Sequence, residues 1–226
     1  MTRSSLRARL LAATPKPKHG SSASSEEAAP PSPKERMDQL IAVLKSDAPR
    51  KEKADACREL GVLGTQEAVP ALAALLPDEK LSHMARYGLE PIPSAAVDEA
   101  LRDALGKAKG RPLVGVIGSL GVRRDAKAVG PLSRFLEDPD ADVVQAAARS
   151  LGKIATTEAA RALRQRLASA PADLRRAVAD ATLACAERLI AQGQRAAAAA
   201  LYESVGKAEL PEHFRLAATK GAELAR

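Results

Sequence analysis

The chain has 226 residues, of which 46% are hydrophobic and only 2% aromatic, with no Trp. That content is enough to bury a sizeable core, and the shortage of aromatic residues suits closely packed helices. The net charge is +7, but residues 1–36 carry seven Lys or Arg against three Asp or Glu, whereas residues 37–226 carry 28 against 25. This near-balance argues against a strongly basic face, so nucleic acid is not an expected partner of the folded part.

The N-terminal stretch is expected to stay outside the fold. Residues 1–34 are basic and rich in Ser and Pro without apolar periodicity, which predicts a disordered tail. Its apolar part, Leu10 to Ala13, is too short for a signal-peptide core. A processed transit peptide and a wrongly assigned start upstream of Met37 both fit this stretch. No apolar run of about 18 residues occurs, so we expect no membrane span and a cytoplasmic location.

The first apolar pattern at helical spacing runs from Met37 to Leu44 and ends before Pro49. Later helical patterns close on a residue followed by glycine: Leu60-Gly61, Tyr87-Gly88, Leu120-Gly121 and Leu151-Gly152. These glycines lie 27, 33 and 31 residues apart, which is typical of a stacked helical repeat. Tyr87 is expected on the apolar stripe of its helix. The predicted inner row of the stack consists of residues 51–63, 79–89, 110–122, 141–154 and 174–191.

The segments TQEAVPALAALL and DAKAVGPLSRFL share one design. Thr65 and Asp125 are predicted helix caps, and Pro70 and Pro131 come too late to open a helix. We therefore expect a kink or a short turn before each main helix. A later amphipathic helix is predicted to turn three side chains to solvent: Arg161, Arg164 and Arg166.

Gly115, Gly118 and Gly121 recur at every third residue of one helix. The order G-x-G-x-x-G is absent, so close helix-to-helix contact is the favoured interpretation and phosphate binding the alternative.

The sequence lacks the residue constellations that catalysis requires. His19, His83 and His213 have no carboxylate or Cys at metal-ligand spacing, and neither a G-x-S-x-G elbow nor a P-loop occurs. We therefore predict no enzymatic activity, no catalytic residue, no metal and no cofactor. Cys57 and Cys185 fall within apolar helical patterns and are expected to be reduced core thiols, with a disulfide or a reactive pair as the alternative.

The segments ACRELGVLGTQEAVPALAALL and DPDADVVQAAARSLGKI resemble bacterial HEAT repeats of the phycobilisome-lyase class. The resemblance covers residues 51–169 and implies an all-α fold, an α-solenoid (an α-α superhelix) of about five helical pairs. At Val144 this family usually carries an Arg, so the resemblance predicts that the usual Asp–Arg ladder between repeats is missing there.

The predicted organisation is a tail over 1–34, HEAT-like repeats over 35–170, and a tetratricopeptide-like helical hairpin over 171–226 that completes the solenoid. The hairpin is suggested by the spacing of Gly193, Ala198, Tyr202 and Pro211. Tyr202 and Phe214 are then packing residues.

Stacked helical repeats leave one face of the inner helices free, which is the default place for a partner. We therefore predict a non-enzymatic scaffold or adaptor that binds another protein there. Six side chains on or beside the inner helices are predicted to contact it: His83, Arg86, Arg111, Arg123, Arg124 and Arg149. Arg86, Arg111, Arg123 and Arg124 suggest an acidic partner, and the competing interpretation is solvation or ion pairs within the repeats.

Two other functions stay open. The repeat class suggests a bilin lyase or a lyase-like chaperone. A HEAT-like DNA-binding protein is the second alternative, although the scarcity of aromatic residues and the balanced charge disfavour it. The sequence does not indicate whether the chain is a monomer or a homo-oligomer.

Overall fold

The structure is a computed structural model that describes residues 30–226, of which Ser32–Arg226 form one compact unit. The predicted tail lies mostly outside the described residues, although Ser32 already caps the first helix and Pro33 begins it. The described residues contain α-helices and short 3-10 turns but no β-strand, as the all-α prediction requires. In chain order the helices are α1 (Pro33–Lys45), α2 (Arg50–Leu63), α3 (Val69–Ala73), α4 (Ser82–Leu89), α5 (Ala95–Ala104), α6 (Gly110–Arg123), α7 (Val129–Arg134), α8 (Ala141–Ile154), α9 (Thr157–Ser169), α10 (Ala172–Ala191), α11 (Arg195–Lys207) and α12 (Glu212–Leu224).

The helices stack in two rows. In the inner row α2 packs on α4, α4 on α6, α6 on α8, α8 on α10, and α10 on α12. In the outer row α1 contacts α3, α3 contacts α5, α7 contacts α9, and α9 contacts α11. The described residues therefore form an α-solenoid of six helical pairs, where about five were predicted. The first five inner helices are the five that the sequence predicted, and four of them carry the repeated glycine.

The region 171–226 contains three helices rather than a single hairpin. α10 packs on α8 as well as on α11, so it continues the inner row, and α11 and α12 form the last pair. Tyr202 and Phe214 are buried, as expected of packing residues. The tetratricopeptide-like assignment stays a prediction.

The two proline-containing segments begin as predicted. The Thr65 hydroxyl accepts a hydrogen bond from the Glu67 N–H at 3.4 Å, and the Asp125 carboxylate accepts one from the Lys127 N–H at 3.1 Å. Each cap opens a 3-10 turn, over Gln66–Ala68 and Ala126–Ala128, before α3 and α7 begin. The 3-10 turns satisfy the first N–H groups of each segment. The proline then lies within the first turn of the main helix, where its missing N–H group costs little stability.

The repeated glycines lie where successive inner helices approach most closely. A Cβ atom added at Gly88 would lie 2.7 Å from the Cys57 carbonyl oxygen, and one at Gly152 would lie 2.6 Å from that of Ala181. A Cβ at Gly121 would lie 2.7 Å from Cα of Ser150. These distances are too short for any side chain, so backbone contacts backbone between layers. The same prediction was wrong for Gly118, because a Cβ there would have no neighbour within 4 Å.

The core lies between the two rows, and the residue before the glycine contributes to it in three of the four repeats. Leu60, Leu120 and Leu151 are fully buried. Tyr87, which was expected on an apolar stripe, is instead 58% exposed, and α4 contributes Ala85 and Leu89 to the core. No described helix is long and apolar enough to cross a membrane.

Cys57 and Cys185 are free and buried, which confirms the prediction of reduced core thiols. Burial raises the pKa of the Cys57 thiol to about 11 and that of Cys185 to about 12. The thiolate is the reactive form, so both groups are poor nucleophiles at neutral pH.

We expect Gly152→Ala to lower the free energy of unfolding by about 1–3 kcal/mol, because its methyl group forces α8 and α10 apart. Gly118→Ala is the matched control, and it should raise that free energy by up to about 1 kcal/mol, since Ala favours the helix and nothing opposes its methyl group. Urea unfolding followed by circular dichroism measures both changes. Equal stability of the two variants would contradict the assigned packing.

Both thiols should resist a chromogenic disulfide reagent in the folded protein at about pH 8 and react fully in denaturant, because burial shields them and suppresses the thiolate. Rapid reaction of either thiol under native conditions would show that its surroundings are open.

Candidate functional site

The inner row exposes one stripe of side chains per helix, at helical spacing, on the side away from the outer row. We call this surface the inner face. Its exposed residues are Lys51, Asp55, Arg58 and Val62 on α2; His83 and Tyr87 on α4; Arg111 and Val122 on α6; Asp142, Arg149 and Lys153 on α8; and Asp173, Arg176, Asp180 and Glu187 on α10. Contacts with neighbouring helices occupy the other sides of each inner helix, so this stripe is free within the described residues.

The charge of the inner face changes along the stack. On α8, Arg149 and Lys153 outnumber Asp142. On α10 the balance reverses, because Asp173, Asp180 and Glu187 outnumber a single arginine. The inner face is therefore basic over its earlier helices and acidic at α10.

Large apolar side chains are also exposed on the inner face. Val62 is 82% exposed, Tyr87 58% and Val122 53%, and they lie on three successive inner helices. Among the described residues the other exposed large apolar side chains, Leu216 and Leu224, belong to α12. The Tyr87 ring lies beside Gly61, since a Cβ there would be 3.6 Å from a ring carbon. None of these three residues was predicted as a binding residue, although Val62 and Val122 each follow a repeated glycine.

Arg86, a predicted site residue, lies half-buried between α4 and α6. Its guanidinium crosses Gly115, where an added Cβ would lie 2.5 Å from its Cζ and Nε atoms. Nε is buried, and within residues 30–226 the side chain donates no hydrogen bond. Burial lowers the pKa of Arg86 below its ordinary value, and the nearby Glu90 carboxylate offsets part of that effect. Glu90 itself accepts a hydrogen bond from the Ser119 hydroxyl at 2.6 Å.

Arg123 has a structural role, which corrects its prediction as a partner-binding residue. Its Nη1 donates to the carbonyl oxygens of Glu90 and Ile92 at 2.8 and 3.0 Å, and its Nη2 to that of Ser94 at 3.1 Å. Nε and Nη2 also donate to the two oxygens of Asp98. All five N–H groups are thus engaged in holding the α4–α5 loop against the end of α6.

The other predicted residues remain available to a partner. His83, Arg111, Arg124 and Arg149 are exposed, and none forms an ion pair within the described part of the chain. Arg124 ends α6 in a left-handed conformation, with φ of 54°. Four of the six predicted side chains are therefore exposed to solvent, Arg86 is half-buried, and Arg123 is engaged in hydrogen bonds within the chain.

Ion pairs join neighbouring helices at varied positions rather than as one regular ladder. Arg36 binds Glu59 at 2.6 Å, Arg102 pairs with Asp125, and Arg166 binds Glu137 at 3.1 Å. Arg166 is only 9% exposed, so the prediction that it points to solvent was wrong, while Arg161 and Arg164 are exposed as predicted. Val144, at the usual arginine position of the resembled family, is fully buried.

Residues 30–226 contain no group of three or more His, Cys, Asp or Glu side chains arranged to hold a metal ion. What the inner face offers chemically is a set of exposed cationic side chains and one exposed aromatic ring, that of Tyr87.

Residues 99–184 match the family model of HEAT repeats. This match overlaps the segment 35–170 in which such repeats were expected and extends into α10. No curated protein matches the sequence.

Three solved structures resemble the fold. The complex of CpcE and CpcF of phycocyanin lyase from Nostoc sp. PCC7120 is 24% identical, with 87% of this chain and 89% of that chain covered and a TM-score of 0.44. An engineered protein is 17% identical, with 84% of this chain and 96% of that chain covered and a TM-score of 0.48. Human deoxyhypusine hydroxylase in complex with glycerol is 16% identical, with 85% of this chain and 96% of that chain covered and a TM-score of 0.46. At these identities and TM-scores the similarity does not extend to the activities of those proteins.

We expect Arg123→Gln to lower the free energy of unfolding by about 2–4 kcal/mol, because it breaks a partly buried pair and leaves carbonyl groups without donors. Arg124→Gln is the matched control and should change stability by less than about 0.5 kcal/mol, since that side chain is exposed. Urea unfolding curves measure both effects. A negligible loss with Arg123→Gln would assign this residue to another role.

Proposed function

We propose that this chain, whose residues 99–184 match the family model of HEAT repeats, is a non-enzymatic interaction scaffold whose inner face binds an acidic segment of another protein. The observation that carries the proposal is the half-buried Arg86 side chain, whose buried Nε has no hydrogen-bond partner within residues 30–226.

An unpaired, partly desolvated cation costs free energy, which the fold ordinarily recovers through a hydrogen-bonded partner. Arg36, Arg102 and Arg123 have such partners within the chain. At Arg86 a carboxylate from another protein would act as the hydrogen-bonded partner. Since a guanidinium can grip a carboxylate through two hydrogen bonds away from bulk water, this contact is worth more than an exposed ion pair.

Exposed apolar side chains on the same row of helices complete the proposed docking surface. Tyr87 follows it on α4, and Val62 and Val122 lie on the two adjacent inner helices. A rigid aromatic ring beside a half-buried arginine is the usual composition of a binding hot spot. The proposed partner segment therefore carries an acidic residue next to apolar ones.

Two alternative functions can be distinguished from this proposal. A bilin lyase would attach bilin to an acceptor protein, which absorbance spectra after incubation would reveal. DNA binding is disfavoured by the acidic residues of α10, Asp173, Asp180 and Glu187, which repel phosphate groups. A cytoplasmic location stays a prediction.

We expect Arg86→Gln to reduce capture of the partner from a native lysate by about 10- to 100-fold, the range for a lost charged hydrogen-bonded pair. Gly115→Ala should weaken capture as well while keeping the charge, because its methyl group displaces the guanidinium. Arg134→Gln, at an exposed position on α7 of the outer row, is the matched control.

Quantitative mass spectrometry of proteins retained by each immobilised variant provides the measurement. The proposal requires a protein that is retained by the unmodified chain and by Arg134→Gln but lost with Arg86→Gln. Equal retention by all variants would place binding elsewhere on the molecule.

A further inference from the structure

A cleft of about 430 Å³ lies on the other side of the stack from the inner face, between α9, the start of α10 and the end of α11. Its apolar lining consists of Leu167, Ala168 and Ala208. This volume falls in the range of sites that bind small molecules. The protein–protein contact proposed above does not involve the cleft.

Three cationic side chains line the cleft: Arg164, Arg175 and Lys207. The Glu209 carboxylate lies at the same opening, and the Ser204 hydroxyl is also part of the lining. A cleft with several converging cations and an apolar lining favours a ligand that has both an anionic group and an apolar body.

Arg175 is held in position for such an anion. Its Nε donates to the Ala170 carbonyl oxygen at 3.2 Å, which fixes the orientation of the guanidinium. Its Nη1 donates to Glu209 Oε2 at 3.2 Å. The Arg175 side chain is 25% exposed, whereas that of Glu209 is 94% exposed, so Glu209 is weakly held and an incoming anion can replace it.

The remaining two cations lie close enough to act together. Lys207 pairs with Glu203 one turn earlier on α11. Both Arg164 and Lys207 line the cleft, and Lys207 and, more weakly, Arg164 hold the pKa of Glu203 below its ordinary value. The Lys207–Glu203 pair is exposed, so water screens it, and Lys207 remains accessible to a ligand.

We propose that this cleft binds a phosphate-bearing small ligand. The phosphate replaces Glu209 on the Arg175 guanidinium, whose planar array of donors matches phosphate oxygens, and Arg164 and Lys207 contribute further charge. The apolar lining accepts the part of the ligand beyond the phosphate. The phosphate belongs to a soluble ester or to a lipid headgroup, and the two sources share this chemistry.

Pyrophosphate, titrated into the full chain by calorimetry at low ionic strength, is the first probe. Arg175→Gln should weaken its binding at least about tenfold, the loss expected for a charged hydrogen-bonded pair. Glu209→Gln should strengthen binding several-fold, because it removes the competing carboxylate. Arg176→Gln is the matched control: Arg176 is the next residue but lies on the inner face, so its loss should leave the affinity nearly unchanged.

Vesicles of phosphatidylcholine with added phosphatidic acid form the second arm. Vesicle binding that Arg175→Gln abolishes assigns a lipid headgroup, whereas pyrophosphate binding without vesicle binding assigns a soluble ligand. Absence of pyrophosphate binding at millimolar concentration would overturn the proposal. Equal weakening by Arg175→Gln and Arg176→Gln, or weaker binding by Glu209→Gln, would overturn it as well, because neither result fits a site centred on Arg175.

Discussion

Backbone contact between successive inner helices is the constraint on which the rest of the structure depends. At Gly88 and Gly152 a side chain would meet a carbonyl oxygen of the preceding or following inner helix within 2.7 Å. Helices that approach this closely keep a fixed rotation relative to one another, because any turn about the axis would bring a Cβ into the contact. That rotation determines which stripe of each inner helix is buried and which remains exposed as the inner face.

Arginine has two opposite roles within one part of this stack. Arg123 donates all five N–H groups to the chain and ties the α4–α5 loop to α6. Arg86, one layer earlier, crosses the backbone of α6 at Gly115 without a hydrogen-bond acceptor in the described residues. The first side chain stabilises the layer, whereas the second bears a desolvation cost that the nearby Glu90 carboxylate offsets only in part, a situation common at functional sites.

The period of the glycines predicted the inner row correctly, since glycine at a helix contact has a direct packing meaning. The caps at Thr65 and Asp125 were likewise predictable, because a cap depends on residues one or two positions away. Sequence spacing could not separate Arg123 from Arg124, because the acceptors of Arg123 are carbonyl groups of a loop about thirty residues earlier. The same limit applies to Arg166, whose partner Glu137 lies on a different layer, and to Tyr87, whose ring turned outward next to Gly61.

The reversal of charge between the earlier inner helices and α10 gives the inner face a polarity. An extended segment laid across the stack meets cations at one end and the carboxylates of Asp173, Asp180 and Glu187 at the other. A bound segment whose own charges are unevenly distributed is therefore aligned in a single direction, since the reverse arrangement sets like charges against each other. Such a surface selects a bound segment by the order of the residues in that segment as much as by its composition.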